Sequence, residues 1–237
     1  MSTPTRFTHG VTNVPKTSNL GGLLGVAPDK MAQYFVDFSG LDYLTTAWTV
    51  TETQAGATQN LVASDAGGEY GLLALVNTAG ATDLNSIQLT TAPLFITDTT
   101  KRWWLKGRVS RDNADEGMGF GVQAVNATPF TVANGIWVNI LGTSTDAVFR
   151  IAKASTATTA TVTGAYPTSA LNTFVTLGMA YDGQNIECYV DDVLRARIEV
   201  LTNFPNTAAL TPTISGLNTS ANARTVHCDY FYFAVER

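Results

Sequence analysis

The segment from Phe174 to Arg197 limits the folds open to this chain more than any other. Phe-Val-Thr-Leu-Gly-Met-Ala-Tyr, Ile-Glu-Cys-Tyr-Val and Arg-Ala-Arg-Ile are separated by Asp182-Gly183-Gln184-Asn185 and by Asp191-Asp192-Val193-Leu194. Runs this short between polar punctuation read as three antiparallel strands joined by two tight turns. Gly183 tolerates the positive φ that a hairpin turn demands, and the Asp182 carboxylate can bond back to the turn amides. Asp191-Asp192 offers the second turn the same chemistry without glycine.

Similar signals recur from Met31 onward. Tyr34–Phe38, Trp48–Thr51 and Ser86–Leu89 each read as a strand, and the apolar run Tyr70–Val76 predicts a buried central one. Between Arg102 and Val109, Trp103, Leu105, Gly107 and Val109 fall on one face and Trp104, Lys106 and Arg108 on the other. That period of two predicts a half-buried strand. Gly135–Ile140 puts Ile136, Val138 and Ile140 on one side, with Trp137 and Asn139 on the other. Gly119–Ala124, Val148–Lys153 and the aromatic-rich Val226–Val235 complete the strand set. The threonines of Ser155–Thr163 suit a solvent-edge strand or a loop. A single helical turn fits Pro28–Met31, and no longer helical period is present. About a dozen strands are predicted, the pattern of a sandwich.

Residues 1–33 form a different unit. Glycines 21, 22 and 25 and a lack of period argue against a packed element. Yet Phe7, Val11, Val14, Leu20, Leu23 and Leu24 are apolar and need a surface. The segment is expected to be an extended arm, laid either on a neighbouring subunit or lattice or back over its own domain. The domain division is therefore an arm, 1–33, and a β-sandwich, 34–237.

Composition removes several function classes. The chain has 237 residues, a net charge of −5 and only 14% charged residues. Its basic residues are scattered, so nucleic-acid binding lacks the footprint that phosphate neutralisation needs. No apolar stretch is long enough for a membrane span, and the polar start lacks a secretory signal, so synthesis in a cytoplasm is expected. Cys188 and Cys228 sit in apolar strand patterns and read as small buried hydrophobes, able to pair only if their strands are neighbours.

Catalytic patterns are missing. No strand carries the closely spaced acids of a glycoside hydrolase. His9 and His227 have no nucleophile beside them, and no His/Cys spacing suits zinc. Gly117-x-Gly119-x-Gly121 lacks the Lys and Ser/Thr of a phosphate loop and reads as a strand that another chain can approach closely. Asp112, Asn113, Asp115 and Glu116 could offer oxygens to calcium, but their spacing is that of a turn rather than a ligand loop. Trp104 and Trp137 stand on the less apolar faces of their strands. They are candidates for a glycan platform, or for a buried face or oligomer interface. No enzyme activity and no cofactor is expected.

Two resemblances add to this reading. Trp103–Val109, Gly135–Val138, the turns at Asp182-Gly183 and Asp191-Asp192, and Cys228-Asp229-Tyr230-Phe231-Tyr232-Phe233 resemble the concanavalin-A-like (laminin-G-like) jelly roll over residues 33–237. This implies an all-β fold, an antiparallel two-sheet jelly-roll sandwich. Arg6–Val14, Tyr34–Phe38, Trp48–Val50 and Asn126–Phe130 with Asn134–Ile136 are similar to virion structural proteins of tailed bacteriophages. That resemblance implies a capsid decoration or cement protein on the virion surface. Its partners would be the major capsid protein and copies of itself, a trimer ahead of a dimer, with the six apolar arm residues as contacts. The alternative is a lectin-like, carbohydrate-binding module on a virion fibre or surface.

Overall fold

The computed structural model describes residues 31–38, 47–62, 71–90, 100–126, 128–166 and 173–236. Their regular elements are one 3-10 turn, Pro129–Thr131, and fifteen strands. The strands are β1 (Met31–Val36), β2 (Trp48–Glu52), β3 (Thr58–Val62), β4 (Leu72–Asn77), β5 (Leu84–Leu89), β6 (Trp103–Arg111), β7 (Glu116–Gln123) and β8 (Gly135–Ile140). There follow β9 (Ala147–Lys153), β10 (Thr156–Val162), β11 (Val175–Tyr181), β12 (Ile186–Val190), β13 (Val193–Ile198), β14 (Thr211–Asn218) and β15 (Arg224–Glu236). β1 begins at Met31, so the body reaches past the expected boundary at residue 33. The six apolar arm residues lie outside the described residues.

The strands form two antiparallel sheets. The seven-stranded sheet runs β10-β9-β8-β7-β14-β5-β2, and the other runs β13-β12-β11-β6-β15-β4-β3 with β1 also on β15. One edge of β15 serves two partners because the strand is long and bulged. Its first half pairs with β4 and its second half with β1. Between them Asp229 is an extra residue opposite β6, which bends the strand.

Alternation along each strand explains why the sheets stack. Trp103, Leu105 and Val109 of β6, Phe120 and Val122 of β7, Ile136, Val138 and Ile140 of β8, and Phe231 and Phe233 of β15 all join one buried core. Removing this much apolar surface from water is the main driving force of the fold. Gly107 is small because the Phe120 ring occupies the space of its Cβ, 2.8 Å away.

The meander forms as its punctuation predicts. Gly183 has φ 104°, and Asp182 Oδ1 accepts from the amides of Gln184 and Asn185, each at 2.7 Å. The second turn holds Asp191 and Asp192 at φ 48° and 62°, both left-handed, as the type I′ hairpin requires. Asp191 Oδ1 accepts from the Thr176 amide at 2.9 Å, and Asp192 takes Lys106 Nζ at 2.7 Å. Ala154 and Ser155 make a similar left-handed pair between β9 and β10.

Three expectations need correction. β6 is not half-buried: Trp104 and Lys106 on its outer face are buried too, because a second cluster of Met31, Trp104, Ala180, Tyr189, Tyr232 and Ala234 packs there. The run Tyr70–Val76 contributes β4, which lies one strand from the sheet edge rather than at its centre. Its apolarity reflects cover on both faces, which a sequence cannot distinguish from a central position. The strand count is higher than a dozen because short polar strands such as β3 carry little pattern.

Candidate functional site

The outer face of the seven-stranded sheet is built from two complete rungs. One runs Thr51-Ser86-Ser215-Gly119-Asn139-Val148-Thr161 and the next Thr49-Gln88-Thr213-Gly121-Trp137-Arg150-Thr159. These residues alternate with those that enter the core, so all fourteen point the same way. Hydroxyl, amide, indole and guanidinium groups are present, and neither rung holds a carboxylate.

One half of this face is internally satisfied. Gln88 Nε2 donates to Thr213 Oγ1 at 3.0 Å, its Oε1 accepts from the Asn126 amide at 3.1 Å, and the Ser86 and Ser215 hydroxyls are 3.0 Å apart. The other half is not. Gln123 Oε1, Trp137 Nε1 and Arg150 Nε are sealed from solvent and have no hydrogen-bond partner. A buried polar atom left so costs about 1–3 kcal/mol unless something meets it.

Glycines shape this half. A Cβ on Gly121 would lie 2.6 Å from Trp137 Cα, and one on Gly135 would lie 3.1 Å from Trp137 Cε3. Glycine at both positions lets the indole lie against the sheet. Val132, Ala152 and Ala157 pack around Trp137, and the Arg150 guanidinium sits over its ring at 4.9 Å. The ring is 2% exposed, so it offers no open stacking face.

Trp104, the other candidate aromatic, is 8% exposed and lies on the opposite outer face, that of the eight-stranded sheet. The two tryptophans therefore cannot share one ligand. Around Trp104 each carboxylate is held by a cation. Lys106 meets Asp192 at 2.7 Å, Arg108 meets Asp229 at 2.8 Å, Arg197 meets Glu187 at 3.1 Å, and Arg102 Nε donates to Glu236 at 2.8 Å.

The acidic run Asp112–Glu116 is a turn, as its spacing suggests. Asn113 Oδ1 accepts from the Asp115 amide at 3.0 Å, and Asp115 reaches Arg224 at 3.5 Å. Glu116 turns inward between the sheets, where Oε1 accepts from Asn77 Nδ2 at 3.1 Å. Gly216 makes room for it, since a Cβ there would sit 2.8 Å from that oxygen. Burial, then repulsion from Asp112, pushes the Glu116 carboxyl up to about 9. Among the described residues no group of three or more His, Cys, Asp or Glu side chains could hold a metal ion.

Arg111 is the residue that pattern reading missed. It is fully buried, and its guanidinium donates to the carbonyls of Ala114, Glu116, Leu141 and Ser144. It ties the β6–β7 and β8–β9 turns together and stacks over Tyr166 at 4.9 Å. Desolvation lowers its pKa. A charged residue ending a strand gives no sign in sequence that it folds inward.

Cys188 and Cys228 are both free and buried. β11 and β6 separate their strands, so the neighbour condition for pairing is not met. Burial pushes the Cys188 thiol up to about 12 and the Cys228 thiol well above its ordinary value. His227 lies on β15, and His9 is outside the described residues. No helix among the described residues is long and apolar enough to cross a membrane.

No protein-family model and no curated protein matches the sequence. Solved structures do. The carbohydrate recognition domain of Emp47p aligns with a TM-score of 0.60 at 13% identity, over 88% of this chain and 98% of that one. The endo-1,3-beta-glucanase of Streptomyces sioyaensis aligns with a TM-score of 0.59 at 12% identity, over 94% and 99%. The CBM2 module of the evolved Dit of Lactobacillus casei BL23 phage J-1 aligns with a TM-score of 0.56 at 15% identity, over 87% and 96%. At these identities the likeness establishes the jelly-roll sandwich and no more.

Proposed function

We infer that this chain is a non-catalytic carbohydrate-recognition module whose site is the outer face of the seven-stranded sheet. The observation that carries the reading is the pair of polar rungs without a carboxylate, which end in the exposed or half-buried Arg150, Thr159 and Thr161. Their guanidinium and hydroxyl groups suit sugar hydroxyls, each of which both donates and accepts. Glycoside hydrolysis needs two carboxylates flanking the scissile bond, and among the described residues neither rung holds one. The jelly rolls that resemble this chain include a carbohydrate recognition domain and a phage CBM2 module, which supports the same choice. Electrophoresis through gels containing soluble polysaccharides tests it, with a parallel assay for released reducing ends. Retardation without release is the expected result. Release above background, or free migration in every polysaccharide, contradicts it.

A finer reading sets the module on a phage head shell as a decoration protein. Its support is the resemblance of Arg6–Val14, Tyr34–Phe38 and Asn126–Phe130 to virion structural proteins, together with one phage-derived structural relative. Phe7, Val11, Val14, Leu20, Leu23 and Leu24 would then contact the major capsid protein. Repetition around the particle multiplies such weak contacts by avidity. Purified shells mixed with the protein lacking residues 1–33 should lose the coat and its protection against heat. Unchanged coating by that shortened protein removes the reading.

A further inference from the structure

Arg150 is the one charged residue that the described strands turn outward on the seven-stranded sheet. The opposite sheet gives its cations carboxylates, at Arg102–Glu236, Lys106–Asp192, Arg108–Asp229 and Arg197–Glu187. No ion pair among the described residues includes Arg150. Asp146, just before β9, instead accepts from the Gly164 amide at 3.0 Å and from the Thr145 hydroxyl at 3.3 Å.

The Arg150 side chain is held in place all the same. Its guanidinium lies 4.9 Å over the Trp137 ring, and its Nε is sealed from solvent. Trp137 is itself fixed by Val132, Ala152 and Ala157. Stacking covers one face of the guanidinium, and because the residue is only half-buried its Nη end is left to meet a ligand. Donors held this way lose little rotamer freedom on binding. Thr159 pairs with Arg150 across β9 and β10, and both Thr159 and Thr161 are exposed.

We propose that the ligand of this face is an anionic saccharide, whose carboxylate, sulfate or phosphate group is taken by the Arg150 Nη nitrogens. Thr159 and Thr161 then meet neighbouring sugar hydroxyls. The inference rests on the carbohydrate-recognition reading and names its substrate class. A planar guanidinium fork matches the paired oxygens of such groups, and charge assistance makes these hydrogen bonds roughly twice as strong as neutral ones. A neutral sugar leaves that charge unanswered. The chain carries a net charge of −5, so its overall field repels polyanions, and any preference for them has to come from a local cation.

Binding to immobilised glycans in matched pairs at one ionic strength tests this. One pair sets a polyuronate against its neutral hexose counterpart, and the other sets a sulfated glycan against its unsulfated parent. The wild type should bind the charged member of at least one pair roughly tenfold more tightly than the neutral one. The pair that responds distinguishes carboxylate from sulfate. Arg150→Gln should abolish the preference, and Arg150→Lys, which keeps the charge without the planar fork, should restore only part of it. Equal binding of both members in each pair, or a preference that survives Arg150→Gln, overturns the proposal and leaves the carbohydrate reading standing. Binding to no glycan overturns both.

Discussion

Phe35 and Leu194 stand on β1 and β13 at opposite ends of one outward-facing rung of the eight-stranded sheet. They lie far apart in sequence and five strand spacings apart in the sheet. Only the register of five successive pairings, through Tyr232, Lys106, Gly178 and Tyr189, aligns them. The opposite face of the sandwich is different in kind, with hydroxyls, amides and glycines instead of aromatics and ion pairs. One domain thus has two unlike sheet faces.

Glu116 makes the stability of the domain depend on pH. Its folded-state pKa is raised to about 9 from an ordinary 4.5, chiefly by burial. Between those values the folded chain keeps a proton that the unfolded chain releases, so stability falls as pH rises through the window. Asp112 and Asp83 oppose ionisation, and Arg224 and Arg111 favour it. Glu116→Gln removes the penalty. It should add about 1–2 kcal/mol near pH 8, raising Tm by roughly 3–6 °C, with little change at pH 5. Thermal melts across this range check it, and equal effects at both pH values would refute it.

Arg111→Lys should be costly although the charge is kept. An ammonium cannot reach four carbonyls on two turns as the planar guanidinium does. Urea unfolding should show a loss of roughly 2–4 kcal/mol. A change within about 0.5 kcal/mol, the range usual for surface sites, would mean the clamp is not needed.

The turn at Ala154-Ser155 holds two non-glycine residues at φ 49° and 68°. Left-handed geometry costs an L-residue roughly 1–2 kcal/mol, and Asn-Gly adopts it most readily. Ala154→Asn with Ser155→Gly should therefore stabilise the domain by about 1–2 kcal/mol. Asp192→Gly should gain less, since it loses the contact with Lys106. Denaturant midpoints for the two variants check the order.

Gly107→Ala sets a new methyl against the Phe120 ring at 2.8 Å. The ring is fully buried between the sheets and has little room to move. Overpacking of this kind typically costs about 1–3 kcal/mol. A Tm unchanged by the substitution would contradict the packing described.

Much of the fold is legible in the sequence, for local reasons. Strand alternation at Trp103–Val109 and Gly135–Ile140 identifies the core faces, and Asp182-Gly183 and Asp191-Asp192 locate the turns. These signals lie within a few residues of one another. The candidate site is less legible, because it depends on pairing between distant strands. Trp137 and Asn139 show their outward face in sequence. Gln123, Arg150, Thr213 and Ser215 join them only through register. Trp104 and Trp137 look equivalent by pattern, and only the sheet assignment puts them on opposite sides. The inward turns of Glu116 and Arg111 have no local signature, because the partners that make them tolerable come from β4 and from the turn after β8.

Glycan-array binding by the wild-type chain and by Arg150→Ala tests the carbohydrate-recognition claim most directly. Arg150 is half-buried on the proposed face, with its guanidinium over the Trp137 ring, and its side chain does not enter the core. The wild type should bind a defined group of glycans, and the variant should bind them roughly tenfold more weakly at an unchanged Tm. A wild-type chain that binds no glycan, or a variant that binds equally well, would contradict the assignment.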